Sequence, residues 1–266
     1  YLQIRSFSED TSKEFKQQLT DMEKQGIQGL VIDVRGNPGG LLDQVQTISS
    51  EFITKDKPYV QIEQRNGEKQ RYFSSLTEEK SYPIVALIDK GSASASEILA
   101  GALKEAGGYD IIGEASFGKG TVQQAVPFTD GSNIKLTRYK WLTPDGNWIH
   151  NEGVTPTIEV RQPDYFYASP IVLEDGEELV FDSNNEKVKN VQVMLQGLGL
   201  KPGRADGYFS KQTEEVIRQF QKDKGISVTG KVNRETAELI QTDLLEAVRA
   251  EENDAQLQEA IKVLSR

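Results

Sequence analysis

The sequence predicts an α/β fold: a mixed-sheet α/β core followed by a small all-α C-terminal domain. Three observations predict it. From residue 1 to 113, short apolar runs alternate with amphipathic stretches in strand–helix–strand order. Residues 58–73 and 121–143 instead alternate with a period of two around Gly-containing turns, which marks antiparallel hairpins. From Glu186 onward, apolar residues recur at helical spacing. The 266 residues suffice for one large and one small domain. The expected boundaries are a core over 1–165, a linker over 166–185 and a helical module over 186–266.

The elements follow in order. "YLQIRSF" alternates as a strand does. Thr11 to Gln25 carries Phe15, Leu19 and Met22 on one helical face and ends at Gly26. Gly29 to Val34 is a short continuous apolar run, as in a strand covered on both faces. It delivers "DVRGNPGG", whose Gly39 and Gly40 let the backbone turn tightly or approach a ligand. A helix from Leu41 to Phe52 follows. The hairpin over 58–73 is expected to turn through the two residues Asn66–Gly67. Pro83 to Ile88 reads as a buried strand, Ala95 to Lys104 as a helix and Tyr109 to Gly113 as another strand. "TVQQAVPF" and "NIKLTRYKWLT" flank a turn at Asp130–Gly131. Residues 162–185 are polar and periodless, which reads as a linker with a short strand. In the module, Val188, Val191, Leu195 and Leu198 share one face, Ser210 to Lys224 is a second helix, and a third follows "GISVTGKV". The tail from Thr242 is amphipathic, through Leu244, Leu245, Val248, Leu257, Ile261 and Leu264.

Composition narrows the function. The chain is 36% hydrophobic and 27% charged, with no apolar run of membrane-spanning length. Its net charge is −10, and residues 186–266 balance, so the negative excess lies on the core. An acidic core argues against nucleic acid as a partner. With no cysteine, thiol catalysis and disulfides are excluded, and a single histidine leaves no room for a His-rich metal site. A Ser–His mechanism would have to use His150, in the turn-rich "TPDGNWIHNEG"; a surface loop or strand-edge position is the plainer role for it.

The centre of the chain is "YPIVALIDKGSASASEILAGALKEAGGYDIIGEASFGKGTVQQ", residues 82–124. Ser94 stands on a strand-to-helix turn, where a serine is ordinarily an N-cap. Lys119 stands between two glycines, ordinarily a solvated loop position. Together they are what an activated nucleophile and its base require. "GSASASEILAGAL" followed by "GEASFGKGTVQQ" resembles the active-site signature of the carboxy-terminal processing proteases, a bacterial and plastid serine-peptidase family. The resemblance implies Ser94 as nucleophile, Lys119 as base and Gln123 as the lysine's support. It leaves Ser92 and Ser96 as cap or packing residues. The D-x-R-x-N-P-G-G loop is similar too, and implies an oxyanion hole from the N–H of Gly40, or Gly39, together with that of Ala95. No cofactor or metal is implied. A lysine accepts a proton only as free amine, so Glu97 and Glu114 are expected to point away from the Lys119 amine.

What the family resemblance further implies is cleavage of protein substrates near their carboxy termini, outside the bacterial cytoplasm, in processing or signalling. Members normally carry a PDZ domain ahead of the core. Tyr1 already lies in a strand-like run, so a fragment or mature form lacking that domain is expected. "VQVMLQGLGL", "ADGYF" and "VIRQFQKDKG" look like a peptidoglycan-binding-type helical module, although their matching residues are mainly core positions that specify fold. Peptidoglycan is therefore a less favoured partner than protein. The amphipathic tail suggests either intramolecular packing or pairing, and a homodimer is the expectation. Two other classes stay open: a cell-wall or partner-binding scaffold without activity, and a Ser–Lys amidase acting on small amides.

Overall fold

A computed structural model describes all 266 residues, the side chain of Gln124 excepted. It divides into two compact units. One comprises Tyr1–Arg161 with Gln256–Arg266, and the other Gln162–Ala255.

The first unit is built on a five-stranded, all-parallel sheet in the order β1-β2-β5-β6-β9. Its strands are β1 (Leu2–Gln3), β2 (Leu30–Asp33), β5 (Ile84–Ile88), β6 (Asp110–Gly113) and β9 (Ile158–Glu159). A four-stranded antiparallel sheet stands beside it, order β4-β3-β8-β7: β3 (Pro58–Glu63), β4 (Lys69–Phe73), β7 (Thr121–Pro127) and β8 (Asn133–Leu142). The α/β expectation holds, with parallel and antiparallel pairing kept in separate sheets. Both hairpins turn through a three-residue loop ending in a left-handed glycine. Gly67 N–H donates to Gln64 O and Gly131 N–H to Phe128 O, with φ of 85° at each glycine. The two-residue turn expected at Asn66–Gly67 is not formed, because only the glycine, and not Asn66, takes positive φ.

Helices α1 (Thr11–Lys24), α2 (Leu42–Ser49) and α3 (Ala95–Gly101) cover one face of the parallel sheet. Leu30, Ile32, Ile84, Ala86, Ile88 and Ile111 meet Phe15, Leu19, Val45, Ile48 and Leu99 there. The helix expected to run to Lys104 is α-helical only to Gly101. It continues as a π-turn over Ala102–Ala106, where Gly107 N–H reaches back to Ala102 O.

Successive strand residues point to opposite faces, so Val31, Val85, Leu87 and Ile112 face the other way. They are covered by α7 (Ala255–Leu264) through Leu257 and Ala260, with Val263 and Leu264 half-buried beside them. This corrects the reading of residues 186–266 as one module. The tail returns to the core, and the apolar face taken as a pairing surface is largely used within the chain. A parallel sheet needs both faces covered, and the second cover lies far away in sequence.

The second unit contains α4 (Glu186–Gly197), α5 (Lys211–Asp223) and α6 (Arg234–Arg249). Each begins at a side-chain cap: Asn185, Ser210 and Asn233 accept the N–H of Val188, Thr213 and Thr236. Two buried glutamines repeat one device. Gln192 bonds Gly207 N–H, Tyr208 O and Thr213, and Gln221 bonds Gly230 N–H, Lys231 O and Thr236. The stretch expected as a linker belongs to this core, since Ile171, Leu173 and Leu179 are buried with Val188, Phe209 and Phe220. These three residues insert singly and leave no period in the sequence.

Candidate active site

The strand β5 delivers Asp89, whose carboxylate accepts the N–H groups of Gly36, Gly91 and Ser92 at 2.8, 2.9 and 3.1 Å. That bond set turns the chain from sheet to helix and draws the 33–40 loop alongside. The outer serines of S-A-S-A-S complete the attachment. Ser92 Oγ donates to Val34 O at 2.8 Å and Ser96 Oγ to Asn37 O at 2.9 Å. Asn37 is fully buried; its amide donates to Ile4 O and its Oδ1 accepts Gly39 N–H at 2.8 Å.

Ser94 is held differently. Its backbone is at φ 55°, ψ −110°, a conformation costing a non-glycine residue on the order of 1–3 kcal/mol. It occupies the N-cap position of α3, in a capping box with Glu97. The Ser94 N–H donates to Glu97 Oε2 at 2.7 Å. Ser94 lines a cleft of about 350 Å³, shared with Gly40, Ala95, Lys119 and Gln123. All five residues singled out in the sequence therefore meet at one cavity. Leu41, Leu42, Ile98, Val122 and Trp141 supply apolar wall, and Lys135 is a second lysine on the rim.

Lys119 is presented by a loop held through its backbone. Trp141 Nε1 donates to Lys119 O at 2.7 Å, Trp148 Nε1 to Gly120 O at 2.8 Å, and Asn151 N–H to Gly118 O at 2.8 Å. The flanking glycines follow from this crowding. A Cβ on Gly118 would meet Asn151 backbone at 3.0 Å, and one on Gly120 would meet Trp148 Nε1 at 2.8 Å. Beyond the loop, Lys119, Thr121, Gln123 and Ala125 line the cleft at the spacing of an extended chain, with Val122 joining them beside the bulge. A bulge in the β7–β8 pairing falls between Val122 and Gln123, a device that re-aims side chains.

The electrostatics are simple. No carboxylate lines the cleft. Glu114 pairs with Lys90 at 3.1 Å. Among the described residues, Lys119 Nζ has no hydrogen-bond or ion-pair partner, an arrangement common in unliganded sites whose catalytic bonds tighten on substrate. The backbone donors also separate. Gly39 N–H is taken by Asn37, whereas the N–H groups of Gly40 and Ala95 have no acceptor among the described residues. Gly39 is needed as a glycine for contact, since a Cβ there would lie 2.9 Å from Ser94 Cβ and 3.0 Å from Ala95 N. His150 does not line the cleft. Its ring stacks on Trp148 with centroids 5.1 Å apart.

Against known families, residues 1–160 match the model of peptidase family S41. The chain belongs to peptidase family S41. Residues 184–240 match a second model, described as "Putative peptidoglycan binding domain". The carboxy-terminal processing protease CtpB of Bacillus subtilis (strain 168) is 57% identical over 99% of this chain and 55% of its own length. CtpA of the same strain is 38% identical over 100% and 56%. The chain thus spans about half the length of these relatives. A solved photosystem II D1 C-terminal processing protease is 34% identical, with a TM-score of 0.55 over 60% of this chain and 41% of that one.

Within this S41 site, sequence reasoning missed the groups that hold the catalytic candidates in place: Asp89, Asn37, the two indoles and Glu97. Only Glu97 had a local signal, the S-x-x-E spacing of a capping box from Ser94.

Proposed function

We propose that this chain is the catalytic portion of a carboxy-terminal processing serine peptidase, cleaving protein substrates near their carboxy termini through an acyl-enzyme on Ser94. Lys119, as free amine, takes the Ser94 proton and later returns it to the leaving amine. Gln123 orients that amine as a neutral amide, adding no charge that would hold the proton on the lysine. The N–H groups of Gly40 and Ala95 receive the oxyanion, each donor worth about 3–4 kcal/mol in the transition state. The observation that carries this reading is the convergence of a hydroxyl, an amine, an amide and two unengaged N–H groups on one cleft without a carboxylate. The test is digestion of an unfolded protein, with mapping of the cleaved bonds, beside Ser94→Ala. Turnover of small amides alone would favour an amidase. Absence of both turnover and phosphonate labelling of Ser94 would favour a scaffold.

Turnover should rise with pH, because only the deprotonated amine can act as base. The check is a pH profile of single-turnover cleavage. A flat profile with chemistry rate-limiting would remove Lys119 from that role.

An extracytoplasmic bacterial setting is supported by the bacterial relatives and the second family match. Among the described residues no helix is long and apolar enough to cross a membrane. The helical module is proposed to hold protein in preference to glycan. Phe209 and Phe220 are spent in its core, and Tyr208 is overlaid by Arg204 with 5.2 Å to the ring centroid. The intact chain should stay in the supernatant when purified peptidoglycan is pelleted; co-sedimentation would assign the module to glycan. A homodimer through the tail has less to draw on, because Leu257 and Ala260 are buried within the chain and Leu245 and Ile261 are what stays exposed.

A further inference from the structure

Glu97 is fully buried and sits behind the cleft, outside its lining. Its carboxylate accepts four hydrogen bonds. Oε2 takes the N–H of Ser94 at 2.7 Å and that of Lys119 at 2.8 Å. Oε1 takes Ser116 Oγ and Gly118 N–H, both at 2.6 Å. A single oxygen atom therefore joins the backbones of both proposed catalytic residues, which are 25 positions apart in sequence.

All four partners are donors. Three are backbone N–H groups, which cannot accept. The fourth, Ser116 Oγ, already accepts Val154 N–H at 2.7 Å, so its own proton is directed to Glu97. The site thus offers Glu97 four donors and no acceptor. Burying an ion is costly unless it is fully hydrogen-bonded, and here charge-assisted bonds supply the compensation. Capping α3 uses only the Ser94 N–H bond; the other three bonds go beyond it.

We propose that Glu97 is a positioning residue for peptide hydrolysis: an anionic clamp that fixes the strained turn of Ser94 against the loop of Lys119. It rests on the reading of Ser94 and Lys119 given above. The clamp acts on backbone atoms, so it sets where the Lys119 side chain starts without bonding the amine. It also supplies the constraint that keeps Ser94 at positive φ, a conformation that persists only where its surroundings over-determine it. Glutamine has the same shape but turns an NH₂ group onto two donors either way round: the N–H groups of Ser94 and Lys119, or the Ser116 hydroxyl and the Gly118 N–H. Aspartate is one methylene too short to reach both.

The experiment uses the full chain carrying Glu97→Gln, with kcat expressed per site labelled to completion by a serine-directed phosphonate, so that unfolded molecules do not count. We expect kcat to fall about 10²-fold, the cost of misplacing reacting groups by about an ångström. KM should stay within about threefold, since substrate binding is untouched. An unchanged kcat per labelled site would overturn the clamp and leave Glu97 a stability residue. Should Glu97→Gln not fold, Ser116→Ala decides, because it removes one donor and keeps the carboxylate. A roughly tenfold lower kcat at steady KM supports the clamp, and an unchanged kcat overturns it. An active Ser94→Ala would instead overturn the parent reading, whereas inactive Ser94→Ala beside fully active Glu97→Gln overturns this inference alone.

Discussion

Ser94→Ala should lower turnover of an unfolded substrate by about 10⁴-fold or more, and Lys119→Ala should do the same, with the double variant little worse than either. Residues that share one proton transfer lose it once, so their effects do not add. The fold should survive each change, for a reason visible in the bonding. The loop around Lys119 is held by Glu97, Trp141, Trp148 and Asn151 through backbone atoms of residues 118–120, none of which the substitution removes. Ser94 is likewise held by its own N–H. Steady-state cleavage with circular-dichroism melts checks both halves. Additive losses in the double variant would place the residues in separate steps. His150→Ala should keep turnover within a few-fold, because its ring stacks on Trp148 and does not line the cleft. A collapse equal to that of Lys119→Ala would transfer the base to the histidine.

The parts of this molecule that were legible in its sequence are those whose causes are local. The apolar runs at 30–33 and 84–88 declared buried strands because every residue in them is buried. Ser94, Lys119 and Gln123 were legible because a short motif carries each of them to the same cleft. The helical module declared its apolar period, with Val188, Val191 and Leu195 sharing one buried face. What was not legible depends on distant partners. Ile171, Leu173 and Leu179 look like linker residues until the core from Val188 to Leu244 receives them. Glu97 looked like a charge to be kept away from the amine. Its use as an acceptor of backbone N–H groups becomes visible only when residues 116–119 fold over it. The D-V-R triplet was read through its glycine-rich continuation. In the structure, Arg35 grips Asp33 with Nε and Nη2 and reaches Gln256 with Nη1 at 3.0 Å, tying the catalytic loop's strand to the returning tail.

That tail gives the second large expected effect. A chain ending at Asp254 should lose the native fold of its protease unit. The truncation uncovers Val31, Val85, Leu87 and Ile112, each at most 5% exposed in the intact chain. Fully exposing side chains of this kind costs about 1.5–3 kcal/mol each. Four of them together are comparable with the whole ~5–15 kcal/mol that holds a domain folded. The truncation also removes Gln256, which accepts from Arg35 and donates to Val160 O at 2.8 Å beside β9. A milder version grades the effect. Leu257→Ala should destabilise by about 2–4 kcal/mol, the usual range for emptying a buried leucine site. A tail that served pairing would behave differently: the truncated chain would melt as the intact one does and sediment as a smaller species. Thermal melts of both chains, followed by sedimentation of whichever remains folded, separate the two. The parallel sheet's second face needs a cover, and Leu257 and Ala260 are what covers it, so melting should change where association does not.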